Sequence, residues 1–228
     1  MMMLLALDTA TQMVSIALHN GDQIVAEHTW HSPNQHTRQI PPAVRAILKD
    51  SRTPLDALTA VVVAAGPGSY TGLRVGMGFA KGVAGAAGLP LIGVSTLDIV
   101  ATATPQCSGA LIVTLQAGRS RISVARYQWR KGEWKARGDA ENMTWDELIA
   151  SIDGVATITG EVDAAGRERL DAAIAEGATL QVLPATVRLR RAGALAEIGW
   201  RRLREEGAEA FPPESVAPVY IQTKDSPA

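Results

Sequence analysis

The sequence predicts an α/β protein built from two half-domains that repeat one order of elements, strands first and then helix and strand in alternation. Two observations carry this reading. Three strand signals open the chain with only short turns between them, and a second group of strands followed by helix and strand begins after a Thr-, Pro- and Ser-rich stretch at 101–109. A dinucleotide-binding unit places a helix directly after its first strand, so that class is excluded.

The elements follow in order. Residues 3–7 are continuously apolar, as a strand buried on both faces would be. Val14, Ile16 and Leu18 alternate with smaller or polar neighbours, and Asn20-Gly21 then predicts a type I′ hairpin returning through 23–30. A helix is expected over 34–49, with Ile40, Val44, Ile47 and Leu48 on one face; Pro41 and Pro42 lack the N–H group, so it begins there or is kinked. A Val-rich strand at 60–65 leads into Gly66-Pro67-Gly68-Ser69-Tyr70-Thr71-Gly72, a sharp turn in which Ser69 or Thr71 can cap a helix over 71–88. A strand at 91–94 and a short helix from Ser95 complete the first half. In the second half, strands at 110–115, 121–129 and 133–136 (a turn at Lys131-Gly132) precede a helix at 145–152, a strand at 156–159, a helix at 164–175 and a strand at 180–183. A long amphipathic helix over 188–206 leads into a Pro-rich tail. The division expected is 1–103 and 104–228, the second half reduced.

Lys plus Arg (22) nearly balance Asp plus Glu (23), so no net field draws the chain to nucleic acid or an anionic membrane. The single Cys107 excludes an intramolecular disulfide and a multi-cysteine zinc site. The opening apolar stretch stops at Asp8 without a basic region before it, so neither a secretory signal nor a membrane span is expected, and the cytoplasm is the expected location.

Two constellations bear on function. Asp8, Thr9 and Thr11 sit at the end of the first strand, where a carboxylate and two hydroxyls can cradle a phosphate and a Mg²⁺-bound water, or simply hydrogen-bond the turn. This resembles the first phosphate-binding turn of the actin and hexokinase fold, but Ala10 stands at the position of its glycine, where a Cβ crowds an approaching phosphate. The turn is therefore read as vestigial. The second constellation lies inside the helix over 71–88. Gly72, Gly76, Ala80, Ala84 and Gly88 recur every four residues, with Gly78, Gly82 and Ala86 as a neighbouring row. Each helix-interior glycine costs about 0.5–1 kcal/mol relative to alanine, so repeated acceptance of that cost implies a need for close approach. The two rows predict one face against this protein's own sheet and one against a partner. His19, His28, His31 and His36 show no His-x-x-x-His spacing, which argues against a metal site; His36 reads as a cap or surface residue.

Ala6-Leu7-Asp8-Thr9-Ala10-Thr11, the Gly66–Gly76 string, Ala80-Lys81-Gly82, Gly93-Val94-Ser95-Thr96-Leu97 and, more loosely, Pro218-Val219-Tyr220-Ile221 together resemble the TsaB (YeaZ) family. That resemblance implies the actin-like ATPase fold with a shrunken second domain. It also implies a non-catalytic partner of TsaD, the subunit that transfers threonylcarbamoyl to adenosine 37 of tRNA. The TsaD metal pair corresponds here to Thr96 and Val100, neither a ligand, and the Asp-Ala-Arg common among TsaB relatives reads Ala117-Gly118-Arg119. A helical bundle with TsaD through the helix over 71–88 and the Pro-containing helix is implied, with His36, Ile40, Val44, Gly72, Val75, Gly76, Phe79, Ala80, Val83 and Ala84 at the interface. Further implications are a homodimer when TsaD is absent, a TsaE-like ATPase in the assembly, contact with tRNA only through the complex, and no tightly bound cofactor, any nucleotide lying at the partner interface. The alternatives are a metal-dependent peptidase or a standalone actin-fold ATPase or kinase. The second would need phosphate glycines in the second half, where Thr159-Gly160-Glu161-Val162-Asp163 offers one.

Overall fold

Two sheets of the same topology organise the computed structural model, which describes residues 2–118 and 120–221. The first contains β1 (Leu4–Asp8), β2 (Met13–His19), β3 (Ile24–His31), β4 (Ala60–Gly66) and β5 (Leu91–Ser95), in the order β3-β2-β1-β4-β5. β2 runs antiparallel to β1 and β3, whereas β4 runs parallel to β1 and β5. Between these strands lie α1 (His36–Asp50) and α2 (Tyr70–Ala87), and α3 (Thr96–Ala103) follows β5.

The second sheet contains β6 (Ala110–Gln116), β7 (Ile122–Arg130), β8 (Glu133–Ala136), β10 (Ala156–Gly160) and β11 (Leu180–Val182), in the order β11-β10-β6-β7-β8, with the short β9 (Glu141–Met143) on β7. Helices α4 (Trp145–Ala150), α5 (Ala164–Ala175) and α6 (Ala185–Arg188) accompany it. In each sheet the first strand is central, flanked by an antiparallel pair on one side and a parallel pair on the other. This twofold order is the actin-like arrangement expected from the sequence.

The last helix, α7 (Ala192–Glu206), corrects the expected domain division. One compact unit comprises the described chain up to Ile99 together with Arg190–Val219, and the other comprises Val100–Leu189 with Tyr220 and Ile221. The physical reason lies in β1. Its side chains alternate, so Leu5 and Leu7 join a cluster with Ile40 and Val44 of α1, while Leu4 and Ala6 face the other way. α7 supplies Leu195, Ala196, Ile198 and Leu203 to that second face, with Val62 and Ile92. A side chain at Gly199 would collide with Val62, so helix and sheet meet at backbone distance. Beyond α7 the chain stays on this unit as far as Val219: the Leu91 N–H donates to the Phe211 carbonyl at 3.0 Å and the Val219 N–H to the Ala65 carbonyl at 2.7 Å.

Local chemistry departs from expectation in two places. Asn20-Gly21 does not form a type I′ turn, since φ is positive at Gly21 and not at Asn20. Instead Asn20 Oδ1 accepts from the N–H groups of Asp22 and Gln23, both at 3.0 Å, and lengthens the loop. The type I′ signature is at Lys131-Gly132, with φ of 51° and 86°, between β7 and β8. α1 starts at His36, ahead of both prolines, which lie inside it and exposed. The carbonyls four residues before them belong to Thr37 and Arg38, also exposed, so water can take the bonds proline cannot make.

Candidate functional site

The turn that follows β1 is engaged by its own protein. Asp8 is fully buried; its Oδ1 accepts the Ala10 N–H at 2.9 Å and its Oδ2 accepts Nε of Arg190. Nη2 of Arg190 donates to Thr11 Oγ1 at 2.9 Å and to the Met13 carbonyl at 3.0 Å. The Thr9 hydroxyl donates to the Gly72 carbonyl at 2.8 Å, and the Ser69 N–H donates to the Ala10 carbonyl at 2.6 Å. His36 is neither a cap nor a surface residue, nor free for a partner. It is buried at the first position of α1, and its Nε2 donates to the Thr11 carbonyl at 2.9 Å.

Glycines let α2 close over this turn. Ser69 caps the helix by accepting the Gly72 N–H at 3.3 Å, and Gly88 ends it in the left-handed region at φ 64°. A Cβ at Gly72 would fall on the Thr9 carbonyl, and one at Gly76 on the Thr9 hydroxyl. Ala80 and Ala84 continue this row into the cluster of Val61, Val63 and Leu91. The row Gly72, Gly76, Ala80, Ala84 therefore packs against its own sheet, and Ile40 and Val44 are buried with it. Those six positions, expected at a partner interface, are instead buried within the chain. Val75, Phe79 and Val83 are half-buried along the seam with α1.

What α2 presents outward is the other row. Arg74, Gly78, Gly82, Gly85 and Ala86 are exposed, and among the described residues no neighbour outside the helix's own turns lies within 4 Å of where a Cβ would stand at Gly78, Gly82 or Gly85. At its start Tyr70 is exposed, with the Arg74 guanidinium 4.0 Å above its ring.

Among the described residues no group of three or more His, Cys, Asp and Glu side chains is placed to hold a metal. Thr96 and Val100 are both buried. In the second unit the Gly160 carbonyl accepts from Arg188 at 2.9 Å, and Glu161 Oε2 accepts the Gln116 N–H at 3.0 Å. Burial, and secondarily the charge of Arg167, pull the Arg188 guanidinium below the ordinary arginine range. Asp163 caps α5 by accepting the Gly166 N–H at 2.8 Å, and also accepts from Trp145 Nε1 at 3.2 Å. Arg119 lies outside the described residues.

A family model described as TsaD: tRNA N6-adenosine threonylcarbamoyltransferase matches residues 23–159. The tRNA threonylcarbamoyladenosine biosynthesis protein TsaB of Bacillus subtilis is 34% identical over 155 residues, covering 67% of this chain and 68% of its own length. The chain belongs to the TsaB family. The TsaB of Escherichia coli is 42% identical over 129 residues, 56% of this chain, and the match spans about half (55%) of that protein. The solved structure of YeaZ from Pseudomonas aeruginosa superposes with a TM-score of 0.78 at 24% identity, covering 97% of this chain and all (100%) of that one, which shows the fold.

Within this TsaB-family chain the residue that sequence reasoning missed is Arg190. It stands in the basic Arg188-Leu189-Arg190-Arg191 stretch that opens the amphipathic helix expected over 188–206, 182 positions from the Asp8 it pairs with, and no local pattern links the two.

Proposed function

We propose that this TsaB-family chain is a non-catalytic subunit of the machinery that makes N6-threonylcarbamoyladenosine in tRNA, pairing with and activating a TsaD-type transferase. The observation that carries the docking part is the outward row of α2. Gly78 and Gly82 weaken the helix, and among the described residues no neighbour makes use of the space they leave. A partner helix seated there would approach at backbone distance and recover the loss through dispersion contacts. Val75, Phe79 and Val83 flank the row and add apolar area, and the buried glycines and alanines beneath hold the helix at a fixed height.

In this reading the same face forms a twofold homodimer when TsaD is absent, because a two-fold interface is self-complementary. A TsaE-type ATPase joins the assembly, tRNA is met only through the complex, and any nucleotide sits at the partner interface and not tightly on this chain.

The test is reconstitution with the TsaD-type and TsaE-type proteins of the same organism, scoring modified adenosine by mass spectrometry with and without this chain. Modification that depends on the chain is expected. Equal modification without it, or hydrolysis of ATP or peptide by the purified chain alone, would overturn the assignment.

A further inference from the structure

The resemblance of the β1 turn to an actin-like phosphate site implies a hydrated divalent cation beside Asp8. The residues present do not fit one. Magnesium bound through a carboxylate needs an oxygen open to water, because most of its ligands are waters or phosphate. Here Oδ1 of Asp8 is engaged by the Ala10 N–H, and Oδ2 by Nε of Arg190. The Thr9 and Thr11 hydroxyls, which would face a phosphate, are engaged by the Gly72 carbonyl and by Arg190.

We propose that Arg190 is the permanent counter-ion of Asp8, seated in place of a divalent cation, and that the pair clamps the returning chain to the first sheet and closes this turn to metal–nucleotide. A guanidinium brings a fixed positive charge and a planar fork of donors that matches a carboxylate, which a hydrated cation does not. Its departure would leave a carboxylate buried and uncompensated, which the interior strongly disfavours.

A second set of contacts makes the clamp rigid. Two residues after Arg190 begins α7, whose first N–H groups need acceptors. The Ala192 N–H donates to Ser15 Oγ at 2.9 Å and the Gly193 N–H to Glu27 Oε1 at 2.7 Å. The Arg191 guanidinium approaches Glu27 Oε2 at 3.3 Å. Arg190 is thus held between strand β1 on one side and anchors on β2 and β3 on the other. It is part of the framework and not an arm that a ligand could push aside.

The test uses the full wild-type chain and Mn²⁺–ADP as a paramagnetic stand-in for a magnesium nucleotide. The amide resonances of Ala10 and Thr11 are expected to stay sharp through the titration; their broadening would overturn the proposal. A second arm needs Arg190→Met, which keeps the apolar stem and removes the charge. A lowered melting temperature that Mn²⁺ partly restores, with no such effect of Mn²⁺ on wild type, is expected. Failure of this variant to fold also supports the clamp, whereas melting at the wild-type temperature overturns it. Neither readout depends on the outward row of α2, so failure of TsaD pairing and failure of this proposal are distinguishable.

Discussion

Replacing Gly78 and Gly82 by alanine should strengthen the free protein, and replacing them by arginine should weaken its association. Both residues are inside α2, and a Cβ at either meets nothing within 4 Å. Alanine therefore brings helix propensity without a clash, about 0.5–1 kcal/mol at each position and nearly additive because the residues share no partner. For a chain of this size 1 kcal/mol moves the melting temperature by about 2–4 °C, so the double variant should melt about 2–8 °C higher. Arginine at the same two positions adds bulk where a partner backbone is expected, and overpacking of about 1–3 kcal/mol corresponds to a roughly five- to 150-fold loss of affinity. Scanning calorimetry reads the first effect; titration calorimetry against TsaD and sedimentation of the free chain read the second. Two results would refute the reasoning. Lower melting of the alanine variant would mean the space is used within the chain, and unchanged affinity of a folded Gly78→Arg/Gly82→Arg protein would place the interface elsewhere.

Gly76→Ala should behave in the opposite way, because its Cβ falls on the Thr9 hydroxyl; a loss of about 1–3 kcal/mol in urea unfolding is expected, in contrast with Gly82→Ala. Removing Arg190 alone should cost about 3–5 kcal/mol, since Asp8 is left buried and charged, and the Asp8→Asn/Arg190→Met pair should unfold closer to wild type than Arg190→Met does in a double-mutant cycle. Truncating the α2 cap in Ser69→Ala should lose about 1 kcal/mol, read by thermal melting. The isolated chain, with a formal charge of −1, should show no submicromolar tRNA affinity in filter binding at physiological salt.

The order of elements was legible in the sequence because each step has a local cause. Continuous apolar runs marked β1 and β4, Ser69 and Gly88 marked the ends of α2, and Lys131-Gly132 marked the β7–β8 turn. The two rows of small residues in α2 were legible for the same reason, as a fixed interval of four along one helix. Which row faces inward was not, because that depends on where β1 ends and on the Thr9 hydroxyl beneath Gly76. His36 likewise read as a cap or surface residue, and only the folded turn supplies the Thr11 carbonyl to which it donates.

The sequence by itself determined that this is an α/β chain of the TsaB family with two repeated strand-first halves, since periodicity and the Gly66–Gly76 string are properties of neighbours along the chain. Tertiary structure alone decided that α7 belongs with the first sheet and that Arg190 neutralises Asp8. An amphipathic helix carries no record of which apolar face it covers. The identity of a buried counter-ion depends on three-dimensional proximity between residues far apart in sequence, and the cost of leaving either charge unpaired appears only once both are removed from water.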